Sequence, residues 1–187
     1  MKPQEVLASA LSGVCDDLVE ECRSVPLKHW NEAVFRHFFV RRLLRADPSL
    51  RVECEWNRVD AALFVDDGAT LVEIKFFPYR GKEIRKGGPS RQNYAEFEQV
   101  IAKLSNIGHR SWAANVRLNG LFLVLVYFDP RSPSHRATFS SFYAQLKANH
   151  VLKSVIEIRS TQTIGDAVMT CKLLEVVGGS ESRMTTA

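Results

Sequence analysis

Apolar positions recur at helical spacing through residues 4–23, where Val6, Leu7, Ala10, Leu11, Val14, Leu18 and Cys22 share one side. The segment SVPLKHWN interrupts that pattern. A second helix is predicted from about His29 to Ala46, stopped by Asp47-Pro48. Strands follow: RVECEW at 51–56, VDAALFV at 59–65 and TLVEIKFF at 70–77, the last two joined by the turn residues DDGA. After the loop PYRGKEIRKGGPSR comes a helix over 91–107, with Tyr94, Phe97, Val100, Ile101 and Leu104 on one face. LFLVLVYF at 121–128 is apolar throughout, as a strand covered on both sides is. A further helix is predicted over 134–149, late strands at VIEIRS and VMTCKLLEVV, and a flexible tail over 178–187. The order is ααβββαβαββ. It describes a single α/β domain over 1–177, with no internal repeat and no linker.

Composition changes this picture little. The chain has 187 residues, 45% hydrophobic and 25% charged, enough to bury a core without staples. No apolar run nears the roughly 18 residues of a membrane span. The start, MKPQEVLASALSGVCDD, lacks the basic segment, apolar block and cleavage site of a secretory leader, so a soluble cytoplasmic protein is expected. Cys15, Cys22, Cys54 and Cys171 form no CxxC pair and no zinc spacing; they read as small buried hydrophobes. No GxSxG and no GxxxxGK[ST] is present, and the histidines are scattered, so nucleophilic-hydrolase and P-loop chemistry lack support. The net charge of +4 favours a polyanionic partner only mildly. Its distribution says more: five basic residues and one acidic residue lie between Arg80 and Arg91. Arg36, Arg41, Arg42 and Arg45 form a second cluster in one helix. Either cluster alone reads as a solvated face.

The hairpin at 59–77 departs from its own pattern. Strand alternation puts Val59, Ala61, Leu63 and Val65 on one face and Asp60, Ala62 and Phe64 on the other. In the next strand Val72, Ile74 and Phe76 share a face, and Leu71, Glu73, Lys75 and Phe77 the opposite one. With both apolar faces turned to the core, Asp60, Glu73 and Lys75 emerge together on the other side. Three charges among Phe64, Leu71 and Phe77 are costly unless something replaces their hydration. An ion-pair network does so, with Lys75 between two carboxylates. A divalent cation does so better: Asp60, Glu73 and the main-chain carbonyl of Ile74 are the hard oxygen donors that Mg2+ takes. Glu32 adds to this. On the preceding helix it falls at nearly the angle of Phe39 and Leu43, either neutralised by Arg36 four residues on or aimed at the same metal.

Glu32 in WNEAVFRHF, Asp60 in NRVDAALFV, and Glu73 with Lys75 in LVEIKFF together resemble the PD-(D/E)xK nucleases. The resemblance covers about residues 29–128, and Val59 stands where the family's written motif has proline. It implies a restriction-endonuclease-like, three-layer αβββαβ core around a central mixed sheet. The extra N-terminal helix would cover the core or form a dimer interface, and the C-terminal strands lie outside the core. It implies Mg2+, with Mn2+ able to substitute, held by Asp60, Glu73, Ile74 and Glu32, while Lys75 assists the attacking water. A polar residue on the following helix, Gln92 or Gln99, is also implied. The expected partner is nucleic acid, DNA favoured over RNA, contacted by Arg80, Lys82, Arg85, Lys86 and Arg91, with Arg36 facing either nucleic acid or Glu32. A homodimer is a further expectation. Two other readings stay open: the same fold as an inactive binding module, and a purely structural ion cluster.

Overall fold

The computed structural model describes residues 2–26, 29–65, 67–77, 91–130, 152–164 and 167–177, with backbone alone at 91–94, 129, 130, 164 and 167. Its elements run α1 (Pro3–Glu21), α2 (Glu32–Ala46), β1 (Arg51–Trp56), β2 (Val59–Val65), β3 (Gly68–Phe76), α3 (Arg91–Ser105), β4 (Arg117–Pro130), β5 (Leu152–Ile164) and β6 (Ala167–Val176). Two 3-10 turns, Ile107–His109 and Ser111–Asn115, join α3 to β4. The predicted helix at 134–149 and the tail at 178–187 lie outside the described residues.

One six-stranded mixed sheet, in the order β1-β2-β3-β4-β6-β5, divides the molecule. β3 and β4 pair in parallel and every other pair is antiparallel. A parallel pair needs a crossover, which α3 and the 3-10 turns supply. β4 explains its own unbroken apolar run. Phe122, Val124, Val126 and Phe128 face the layer of α1 and α2, while Leu121, Leu123, Leu125 and Tyr127 face the layer of α3. The result is three layers, helix-sheet-helix.

α1 buries Val6, Leu7, Ala10, Leu11, Val14, Cys15, Leu18 and Val19, which include all the apolar positions expected of it except the cap residue Cys22, itself buried. It covers the core together with α2. Pairs between the two helices reinforce this packing: Arg42 binds Asp17 through two hydrogen bonds, and Arg41 binds Glu21. The guanidinium of Arg42 lies where a side chain at position 13 would stand, so the close approach needs Gly13. The basic cluster on α2 is therefore not the solvated face that its composition suggests. Arg45 alone of the four is exposed.

Three details differ from expectation. α2 begins at Glu32 rather than His29, because the Asn31 side chain accepts the Val34 N–H at 3.0 Å and caps the helix. Cys54 is exposed, whereas Cys15, Cys22 and Cys171 are buried as expected. Val59 packs with Ala62 on the α3 side, not with Ala61 and Leu63. Alternation lapses here because the adjoining backbone is irregular: Glu55, Asn57 and Arg58 have φ of 55°, 50° and 69°. Asn57 and Arg58 form the two-residue connection between β1 and β2, where positive φ at both positions suits the twist of a hairpin.

Candidate functional site

Asp60 sits where the strand pairing fails on both sides. The β1–β2 register passes from Cys54↔Ala61 to Trp56↔Val59, and the β2–β3 register ends at Ala61↔Val72. In place of a main-chain partner, the Asp60 carboxylate takes the N–H of Ile74 at 2.8 Å through Oδ2. Its Oδ1 accepts from Arg36 Nη1 at 2.9 Å, and Arg36 Nη2 donates to Glu55 at 2.7 Å. Arg36 thus bridges α2 to the irregular pairing at Glu55 and Asp60. Strand irregularities of this kind re-aim side chains and gather at functional sites.

Glu73 and Lys75 stay on the α3 face of β3, in register with Leu123 and Leu125. Each meets an opposite charge from α3. Lys103 Nζ donates to Glu73 Oε1 at 2.6 Å, and Lys75 Nζ donates to Glu96 Oε2 at 2.6 Å. The expectation that Asp60, Glu73 and Lys75 emerge together on one side therefore needs correction. Glu73 and Lys75 face α3, while Asp60, at the lapse in β2, turns to Arg36 of α2.

The groups remain close enough to act on one another. Burial raises the Glu73 carboxyl above the ordinary glutamate range against the pull of Lys103, and the Asp60 charge adds to the rise. Burial likewise raises Glu32, reinforced by Asp60 and opposed by Lys75. The Asp60 main-chain N–H also acts on the Glu73 carboxylate, and Glu73 Oε2 is buried without a well-formed hydrogen bond among the described residues. A buried carboxylate oxygen in that condition is unusual. The same chain holds the opposite case: the hydrogen bonds from Arg42 and Arg41 lower Asp17 and Glu21 below their usual values.

The donor chemistry suits a hard divalent cation: the carboxylates of Glu32, Asp60 and Glu73, one of them with a buried oxygen that lacks a well-formed hydrogen bond. Among the described residues no three His, Cys, Asp or Glu side chains converge tightly enough to form a ready metal site. Arg36 and Lys103 occupy part of that space.

Other expected residues fall elsewhere. Arg80, Lys82, Arg85 and Lys86 lie outside the described residues, as do the side chains of Arg91 and Gln92; Gln99 is exposed. Among the described residues, the polar side chains of α3 that reach the cluster are Glu96 and Lys103, and sequence reasoning missed both. Their signal was present: seven residues apart on one helix, they share a face, with charges complementary to Lys75 and Glu73. Glu55 gave no such signal, because only its position opposite Asp60 brings it to Arg36.

No family model, curated protein or solved structure matches this chain. No helix among the described residues is long and apolar enough to cross a membrane.

Proposed function

We propose that the chain is a metal-dependent phosphodiesterase acting on nucleic acid, DNA favoured over RNA, built on a restriction-endonuclease-like core. The order α2, three antiparallel strands, α3 and a fourth strand parallel to the third supports that fold. One observation carries the function. Glu32 and Glu73 are gathered near Asp60 with raised proton affinities, and a Glu73 oxygen is buried without a well-formed hydrogen bond. Asp17 and Glu21, paired with arginines nearer the surface, are lowered instead.

Asp60, Glu73 and the Ile74 carbonyl, with Glu32 behind them, are the groups that would hold Mg2+ or Mn2+. When bound, the cation supplies Lewis acidity at the phosphate and lowers the pKa of the attacking water. Lys75 presents its ammonium, steadied by Glu96, to the phosphoryl oxygens as they gain negative charge. Arg36 and Lys103 neutralise Asp60 and Glu73 in the metal-free protein. The segment carrying Arg80, Lys82, Arg85 and Lys86 follows β3 in the chain and offers cations for the phosphate backbone.

The test is incubation with plasmid, single-stranded DNA and RNA in Mg2+, Mn2+ or EDTA. Cleavage should require metal and fall about 100-fold or more in Lys75→Ala, the usual loss when one charge-stabilising donor goes. Cleavage that persists in EDTA or in the variant contradicts the reading. The Arg36–Asp60 and Lys103–Glu73 pairs favour a second reading, an inactive nucleic-acid-binding or protein-binding module. That module binds its partner or the cation and cuts nothing.

A further inference from the structure

On the α3 side, the β1–β2 turn and the two 3-10 turns enclose a cleft of about 580 Å3. It lies within the range of roughly 300–1,000 Å3 usual for ligand pockets. Arg58, Lys103 and Arg110 line it together with Asn57, Ser111 and Trp112, and no carboxylate among the described residues does. Lys103 is held by Glu73 and by the Arg58 carbonyl. The guanidinium groups of Arg58 and Arg110 have no acidic partner among the described residues, and both side chains are exposed. Trp112 is half-buried, set against Trp56 at 4.8 Å and 75°, and Trp56 in turn meets Phe64. Arg58 also holds φ of 69° in a turn position that favours glycine. Its side chain is present there despite a backbone cost.

We propose that this cleft binds one unpaired nucleotide of a nucleic-acid strand, its phosphate at Arg58 and Arg110 and its base against Trp112. Among the described residues the cleft offers two unpaired guanidiniums, no competing acid, an amide, a hydroxyl and an indole, which are what a splayed nucleotide needs. The cleft has room for one base and is too small for a duplex. It adjoins the carboxylate cluster through Lys103, which ties Glu73 to the cleft wall. The proposal rests on the nucleic-acid reading for its choice of ligand, but not on cleavage.

The experiment is fluorescence anisotropy of labelled ten-residue single-stranded DNA and RNA and of duplex DNA, with the full chain in EDTA. Single strands should bind more tightly than duplex and quench tryptophan emission, and the DNA and RNA arms identify the strand. Arg58→Ala/Arg110→Ala should bind about tenfold or more weakly. Its plot of log affinity against log salt should be shallower by about 0.7, the contribution of one neutralised phosphate on a single strand. Arg58→Gly removes the guanidinium while relaxing the backbone, so its binding should weaken with a melting temperature equal to or above the wild type. Duplex that binds as tightly as single strand, or variants that bind like the wild type, would overturn the proposal. Because no metal is present, loss of binding in the variants upholds the cleft even where the wild type cleaves nothing. Conversely, metal-dependent cleavage by variants with undiminished binding leaves the nuclease reading standing without the cleft.

Discussion

Glu73 and Asp17 are both carboxylates beside a basic side chain, and the fold treats them in opposite ways. Asp17 accepts two hydrogen bonds from Arg42 on the molecule's flank, and its carboxyl is lowered. Glu73 is buried among leucines, shares Lys103 with the Arg58 carbonyl, and is raised. The consequence for stability has a definite sign. A raised folded-state carboxyl costs nothing below the ordinary glutamate range; the cost grows as pH rises from that range towards the folded value and is constant above it. For Asp17 and Glu21 the stabilisation is present above the usual range and is lost as pH falls through their lowered values. Glu73→Gln should therefore melt higher than the wild type in EDTA, by a margin that is absent below the ordinary glutamate range, opens as pH rises above it, and is fully present at pH 8. Thermal unfolding of both proteins from below that range to pH 8 checks it. A variant less stable than the wild type at pH 8 would make Glu73 a structural ion-pair partner.

Among the elements, α1 lies outside the part of the chain that resembles the nuclease core, yet its packing makes it integral. Leu11 is fully buried between α2 and the sheet, and Asp16 accepts the Thr161 N–H at 2.7 Å to join α1 to β5. Leu11→Ala should cost about 2–5 kcal/mol, the range for truncating a core leucine. Denaturant unfolding should register this as a lower midpoint at an unchanged slope. A cost below about 1 kcal/mol would mean that α1 is a detachable appendage. Most elements could be read from periodicity because one face of each is apolar; β4 could be read because both faces are. What periodicity could not give was the lapse at Asp60. It depends on positive φ at Glu55, Asn57 and Arg58, and only Asn57 is a residue type that announces such a conformation. The same limit applies to Arg41 and Arg42. Their partners Glu21 and Asp17 lie on another helix, and one-dimensional charge clustering does not contain that pairing.

For the whole molecule, a three-layer arrangement puts a carboxylate cluster at the junction of α2, β2, β3 and α3. Arg36 holds it from one helix layer, and Lys103 and Glu96 from the other. The residues of the cluster were legible in the sequence as charges out of place; of their cationic partners only Arg36 was, and beside Glu32 rather than Asp60, because strand pairing and helix docking choose the pairs. The central claim is that Glu32, Asp60 and Glu73 are gathered for a divalent cation and not for stability. The most direct measurement is the melting temperature of the wild type, Glu73→Gln and Asp60→Asn during titration with MgCl2, with KCl at matched ionic strength as control. At about 100 times the dissociation constant, binding to the folded state alone contributes about 2.7 kcal/mol. In a domain of this size that raises the wild-type melting temperature by roughly 5–11 °C. Both variants should lose most of that rise. A wild-type melting temperature that Mg2+ leaves at the KCl value would contradict the claim and make the cluster a buried ion-pair network.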